Sequence, residues 1–238
     1  MAEVEEDQRR KSKRTKKASG GKETIGVGVG GRWPTIKPKK DIQINRLKAT
    51  HLFTIPNLLS SGEAKAFIET AESLGFVHQG SQGPTKGEAF RDNHRISVND
   101  PELALCIWES GLSRIFQDIK IRGKIAAGLN PNIRFYRYTV GQRFGRHIDE
   151  SVYLQNGLRT YYTLLIYLSG RGGNKDASSD SLVGGETVFY DQGRVVAEVA
   201  PVEGMALLHI HGDKCMLHEA RVVSKNFKYV LRSDVAFA

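Results

Sequence analysis

The sequence predicts an α+β domain, mainly β, in which N-terminal helices support a β-sandwich or barrel. Two amphipathic helical stretches lie in the first half of the chain, and six short strand-like segments crowd the second. Helices first and closely spaced strands afterward is the order that such a layered architecture needs.

The helices carry their own start signals. In SSGEAKAFIETAESLGF, Ser60 is placed to cap and Glu63 to complete a capping box, while Ala64, Phe67, Ile68 and Ala71 recur at helical spacing. In NDPELALCIWESGLSRIFQDI, Asp100 is the cap and Pro101 the first helical residue. Leu103, Ile107, Leu112, Ile115, Phe116 and Ile119 supply a buried face along that second helix. From Asn132 the pattern changes. IRFYRYTV, TYYTLLIYL, ETVFY, VVAEV, MALLHI and KYVLRSDVAF are rich in β-branched and aromatic residues and are separated by Gly, Asp, Asn or Ser clusters. The longest interruption, 169–185, reads as a mobile lid or a surface insertion.

A chain of 238 residues with 39% hydrophobic content suits one domain with a core plus a tail. The net charge of +9 is unevenly placed: residues 1–48 carry 14 Lys/Arg against 6 Asp/Glu, and the rest carry 21 against 20. Residues 1–41, with the run RRKSKRTKK followed by glycine-rich sequence, are therefore expected to form a disordered basic tail. Such an arm suits nuclear import or contact with nucleic acid or an acidic protein. The domain then spans 42–238, with helical support over 42–130 and the β core over 131–238. No apolar run approaches the roughly 18 residues of a membrane span, and no secretory leader is visible, so an intracellular protein of nucleus or cytoplasm is expected. Cys106 and Cys215 are too few for a disulfide framework and read as free thiols.

The chemistry-bearing pattern is RFGRHIDE. His147 and Asp149 are one residue apart, so on an extended strand they share a face, roughly 6–7 Å apart at the backbone. A ferrous site that must also bind a co-substrate and dioxygen uses two histidines and one carboxylate and leaves its other positions open. A second histidine is needed, and LLHIHGDKCMLHEA offers His209, His211 and His218. Spacing does not choose among them. A zinc site from His209, His211 and Cys215 is an alternative that lacks an evident fourth ligand. Elsewhere, His94 and Arg95 are candidates for the border of a substrate opening or for a structural ion pair.

YTVGQRFGRHID, GGETVF, APVEGMALL and LHEARVVSKNFKYVLRSD occur in that order from Tyr138 to Asp234. Together they resemble the prolyl 4-hydroxylase-like branch of the iron(II)/2-oxoglutarate-dependent dioxygenases, over roughly residues 50–238. The resemblance implies a double-stranded β-helix, or jelly roll, with helices packed on it. It makes His147, Asp149 and His218 the iron ligands and Lys228, ten positions after His218, the cation that holds the far carboxylate of 2-oxoglutarate. A buried carboxylate needs such a partner, because its desolvation is otherwise uncompensated. Tyr138 and Tyr167 match aromatic positions of that pocket, Thr163 is a polar neighbour, and Arg232 is the competing cation, four residues along and roughly 13 Å away on a strand. His209 and His211 are left as strand histidines.

The implied cofactors are Fe(II), 2-oxoglutarate and dioxygen, with ascorbate as reductant. The implied reaction couples decarboxylation of 2-oxoglutarate to succinate and carbon dioxide with hydroxylation of an unactivated C–H bond. A protein side chain is the first substrate expected. Oxidative demethylation of nucleic acid or methyl-lysine, with nucleic acid held through the tail, and a non-catalytic jelly-roll binding module are the alternatives.

Overall fold

The computed structural model describes residues 33–81, 89–171 and 181–238. The basic run of the tail and the interior of the predicted 169–185 loop lie outside them.

In chain order the described elements begin with β1 (Asn45–Lys48), β2 (Leu52–Ile55), α1 (Ser61–Leu74), β3 (Val77–Gly80), β4 (Arg91–Asn99) and α2 (Pro101–Ile107). A π-type turn over Trp108–Leu112 leads to the short α3 (Ser113–Ile115), and β5 (Lys120–Ile121) and β6 (Lys124–Leu129) follow. The β core comprises β7 (Asn132–Tyr138), β8 (Arg143–His147), β9 (Arg159–Tyr167), β10 (Val183–Gly184), β11 (Thr187–Asp191), β12 (Arg194–Val199), β13 (Ala206–Ile210), β14 (Leu217–Ala220), β15 (Val223–Lys225) and β16 (Lys228–Phe237).

The capping box of α1 forms as the sequence requires. The Glu63 amide donates to Ser60 Oγ, and the Ser60 amide donates to Glu63 Oε2 at 2.7 Å, an arrangement worth about 1 kcal/mol. Glu63 also accepts from the Lys37 amide at 2.6 Å and from Lys39 Nζ at 3.0 Å. Burial pushes its carboxyl up, but these bonds and those from Ser60 outweigh it and hold the group at about 2. Residues 33–41, which the sequence reading assigns to the tail, thus lie against the domain. Trp33 stacks on Phe135 with ring centroids 5.0 Å apart, its Nε1 donates to Asp100 Oδ2 at 2.8 Å, and Ile36 is buried.

The second helix is not continuous. It starts under the Asp100 cap with Pro101 in its first turn and loses α geometry after Ile107. Gly111 has φ 140°, and a Cβ there would lie 2.1 Å from Ile42 Cδ1. That positive φ favours glycine, and the helix bends at this residue. The region 42–130 also contains strands, β1 to β6, where the sequence reading expected helical support. The longest, β4, has polar residues at most positions and lacks the apolar alternation that marks a half-buried strand.

The principal sheet is antiparallel, in the order β1-β2-β13-β9-β16-β7-β4-β8-β14-β11-β12. Strand β4 turns the corner, pairing with β7 over His94–Asn99 and with β8 at Arg91 and Asp92. The sheet curls until β13 meets β14, where the rings of His209 and His218 lie 4.6 Å apart. This nearly closed roll is the expected jelly roll. Alternation along β16 sorts its two faces. Leu231 and Val235 join the core that includes α1 and α2, while Lys228, Val230, Arg232 and Asp234 point into the roll. Among the described residues no helix is long and apolar enough to cross a membrane.

Candidate metal centre and co-substrate pocket

The site grows from strand register. His147 ends β8 and His218 lies directly opposite it on β14. Asp149 follows just past the strand end, and a nitrogen or oxygen from each of the three lies within 4.8 Å of the others. His147 Nε2 is 3.7 Å from Asp149 Oδ1, and His218 Nε2 is 3.6 Å from Asp149 Oδ2. Both imidazoles are oriented from behind. His147 Nδ1 bonds Gly145 O at 2.8 Å and His218 Nδ1 bonds Met216 O at 2.9 Å. A carbonyl only accepts, so each Nδ1 carries the proton and each Nε2 is left to face the carboxylate.

Electrostatics separates the three groups. Burial, assisted by repulsion from His218, holds His147 neutral, with its pKa down at about 3. Burial also opposes charge on His218, but Asp149 and Cys215 outweigh it and raise the group to about 9. Asp149 is held well below the usual carboxylate range despite burial, chiefly by Arg232. The donor set fits a ferrous ion, since two imidazole nitrogens and one carboxylate converge on one point inside a largely buried pocket, and the ion would displace the proton that His218 holds.

The carboxylate is fixed by a buried relay. The Val152 amide donates to Thr160 Oγ1 at 2.9 Å, which turns the Thr160 hydroxyl toward His211 Nε2 at 3.0 Å. His211 Nδ1 then donates to Thr163 Oγ1 at 3.0 Å, and Thr163 donates to Asp149 Oδ2 at 2.8 Å. Thr163, expected beside the co-substrate, therefore bonds the metal-site carboxylate. His211 is its orienting partner, a role that a lone strand histidine does not announce.

Lys228 sits in a different part of the same pocket. It is buried, its Nζ bonds Gly185 O at 2.5 Å, and it lies 5.5 Å from the ring centroids of both Tyr138 and Tyr167. Burial pulls its pKa down to about 7 against the pull of Glu186. Gly185 has φ 73°, and a Cβ there would meet Lys228 Cδ at 2.9 Å, which explains a glycine at this point of GGETVF. Tyr167 Oη and Thr187 Oγ1 are 2.7 Å apart, and Tyr138 Oη accepts from Asn93 Nδ2 at 3.3 Å. Burial raises both phenols, Tyr138 to about 12. Thr187 and Tyr136 also line this pocket and were not singled out from the sequence.

Arg232 does not join Lys228. Its Nη2 is 3.0 Å from Asp149 Oδ1 and 3.6 Å from Asp234 Oδ1, and Asp234 also pairs with Arg134 at 3.1 Å. The cross-strand neighbours Arg134 and Arg232 thus share one acid between them. Beyond this ladder an opening of about 570 Å³ reaches solvent past Gln79, Ser81, Arg91, Phe144, Ile148 and Val152. His94 and Arg95 do not line it. Arg91, from the same strand, does, with its guanidinium 4.3 Å over the Phe144 ring.

Solved structures share this architecture. The viral collagen prolyl hydroxylase of Paramecium Bursaria Chlorella virus-1, solved as its 2OG complex, is 18% identical with a TM-score of 0.55, covering 80% of this chain and 98% of that one. A prolyl hydroxylase of Trichoplax adhaerens, in complex with a peptide fragment of the hypoxia inducible factor oxygen degradation domain, is 18% identical with a TM-score of 0.57, covering 79% and 84%. The fold is that of the prolyl hydroxylases. An oxidoreductase of the 2OG-Fe(II) oxygenase family from Burkholderia pseudomallei matches similarly, at 18% identity and a TM-score of 0.54, covering 80% and 87%. No protein-family model and no curated protein matches the sequence. What is shared at this identity is the fold, and the chemistry rests on the site.

Proposed function

We propose that the protein is an Fe(II)- and 2-oxoglutarate-dependent dioxygenase, prolyl 4-hydroxylase-like, that hydroxylates a C–H bond of a protein side chain. One observation carries this reading: the His147–Asp149–His218 cluster opens into the same pocket as the buried Lys228 ammonium. The three residues would hold ferrous iron. Iron, 2-oxoglutarate and dioxygen together supply oxidative decarboxylation to succinate and carbon dioxide coupled to hydroxylation, with ascorbate maintaining the ferrous state.

The protein's own groups do the positioning. Lys228 has given up its hydration, and a dicarboxylate arriving between Tyr138 and Tyr167 would restore a full counter-charge that Gly185 O supplies only in part. Arg232 and Thr163 hold Asp149 from two sides. The opening has the volume to admit a side chain on an extended peptide, and Ile148 and Val152 give its rim exposed apolar surface. A peptide substrate is also supported by the Trichoplax relative, whose complex contains one. The basic run Arg9–Lys17 supports action in the nucleus or cytoplasm.

The test is anaerobic binding of Fe(II) and 2-oxoglutarate, then succinate release on admitting oxygen, for wild type and His147→Ala. Turnover of a proline-containing peptide library, read as the mass gain of one oxygen atom, addresses the substrate. A wild-type protein that binds neither iron nor 2-oxoglutarate would overturn the proposal.

A further inference from the structure

His209 is the site's unexplained residue. It is wholly buried, its Nδ1 makes one long bond of 3.3 Å to Ile210 O, and its Nε2 has no hydrogen-bond partner among the described residues. That nitrogen is aimed at the centre, 3.5 Å from Asp149 Oδ2. An orphaned polar atom in a dry interior costs about 1–3 kcal/mol unless something pairs with it. Cys215 stands beside it. Its Sγ accepts the Asp149 amide at 3.2 Å, and donor atoms of His209, Cys215 and His218 all lie within 4.8 Å of one another.

We propose that His209, Cys215 and His218 form a second metal site, overlapping the first, that takes a thiophilic divalent cation of the zinc type. Two imidazole nitrogens and one sulfur are a soft donor set suited to zinc, whereas His147, Asp149 and His218 are a harder set suited to ferrous iron. Tetrahedral zinc sites place nitrogen and sulfur donors about 3.4–3.6 Å apart, within reach of small rotamer adjustments here. Coordination releases the Cys215 thiol proton and the His218 Nε2 proton to solvent and gives the His209 Nε2 lone pair a metal partner. Because both triads need His218, one ion excludes the other, and zinc at this site would silence iron chemistry without occupying His147. The exclusion, though not the site itself, rests on the iron reading above.

Cadmium reports this geometry, because a thiolate-to-metal charge-transfer band in the ultraviolet appears only when sulfur is bound. Metal-free protein carrying Cys106→Ser, so that Cys215 is its one cysteine, is titrated anaerobically with Cd²⁺ and then with Zn²⁺. The expected result is a stoichiometric band that zinc bleaches, that Cys215→Ser abolishes and that His147→Ala retains. His209→Ala should weaken cadmium binding at least tenfold while far-ultraviolet dichroism is unchanged. No band in the Cys106→Ser protein, loss of the band in His147→Ala, or unchanged affinity in His209→Ala would each overturn the site. Failure of the iron reading looks different: the band forms as described, yet Fe(II) and 2-oxoglutarate support no succinate release.

Discussion

Arg232 Nη2 lies 3.0 Å from Asp149 Oδ1, so the single carboxylate of the candidate metal centre is already half of a buried ion pair. The pair holds Asp149 ionised, and Arg232 is itself raised above its ordinary pKa by Asp149 and Asp234 although burial opposes its charge. Arg232 thus acts as a counter-charge to Asp149, a function that a bound divalent ion would take over in part.

Replacing it separates those two states. Arg232→Gln leaves Asp149 without its arginine partner while Asp234 keeps Arg134, and breaking a buried pair in this way costs about 3–5 kcal/mol. A divalent cation on Asp149 supplies the missing counter-charge. Urea unfolding should therefore show a large loss of stability in the metal-free variant and a clearly smaller one at saturating Mn²⁺. Equal losses in both conditions would mean that the ion does not reach Asp149.

Metal binding should itself be linked to protons. In metal-free protein His218 is raised to about 9 and His147 is neutral, so at pH 7 the pair carries one proton that a metal ion must displace from His218 Nε2. Apparent affinity for Mn²⁺ or Co²⁺ should rise with pH, approaching tenfold per unit, and level off above about pH 9. Calorimetry in buffers of differing ionisation enthalpy should read close to one proton released per ion at pH 7. A pH-independent affinity between 6 and 8 would show that His218 is not the protonated partner.

Much of this arrangement was legible in the sequence because it is local. The Ser60–Glu63 box, the Asp100 cap with Pro101, and the six core strands are each written in residues a few positions apart. What the sequence concealed depends on contacts between distant segments. The break at Gly111 packs it against Ile42, far back along the chain, and β4 is a strand because β7 and β8 flank it, although its own pattern is polar. The same division holds at the site. The ordered motifs pointed to His147, Asp149, His218 and Lys228, which the fold brings into one pocket. The bond from Thr163 to Asp149, the relay through His211 and the orphaned nitrogen of His209 follow from β13 lying against β9 and curling toward β14.

The relay makes a prediction of its own. His211→Leu removes the donor to Thr163 and strands the Thr160 hydroxyl, which should cost about 1–3 kcal/mol of stability. Because Thr163 then loses its fixed orientation toward Asp149, metal affinity should fall about 10–100-fold, as for other groups that orient a ligand. Thr163→Val should reproduce the affinity loss and Thr163→Ser should restore it. A His211→Leu protein that is destabilised yet binds metal normally would reduce the relay to packing.

Lys228 offers the sharpest test of the co-substrate pocket, because its charge is poised. Burial lowers its pKa to about 7 against the opposing effect of Glu186, so before 2-oxoglutarate binds the ammonium is half lost at neutral pH and mostly lost at 8.5. A carboxylate binds the charged form. With metal held saturating, 2-oxoglutarate binding should therefore take up a proton above pH 7, and its affinity should be flat below pH 6.5 and fall by up to tenfold per unit above about 7.5. Lys228→Met should weaken 2-oxoglutarate about 10–150-fold, the value of one hydrogen bond to a charged group. The same variant should bind pyruvate, which keeps the 2-oxo acid and lacks the far carboxylate, about as well as wild type does. If pyruvate and 2-oxoglutarate weaken equally, Lys228 supports the pocket without gripping the carboxylate. If Arg232→Gln shifts the 2-oxoglutarate preference over pyruvate while Lys228→Met does not, the anchor is Arg232.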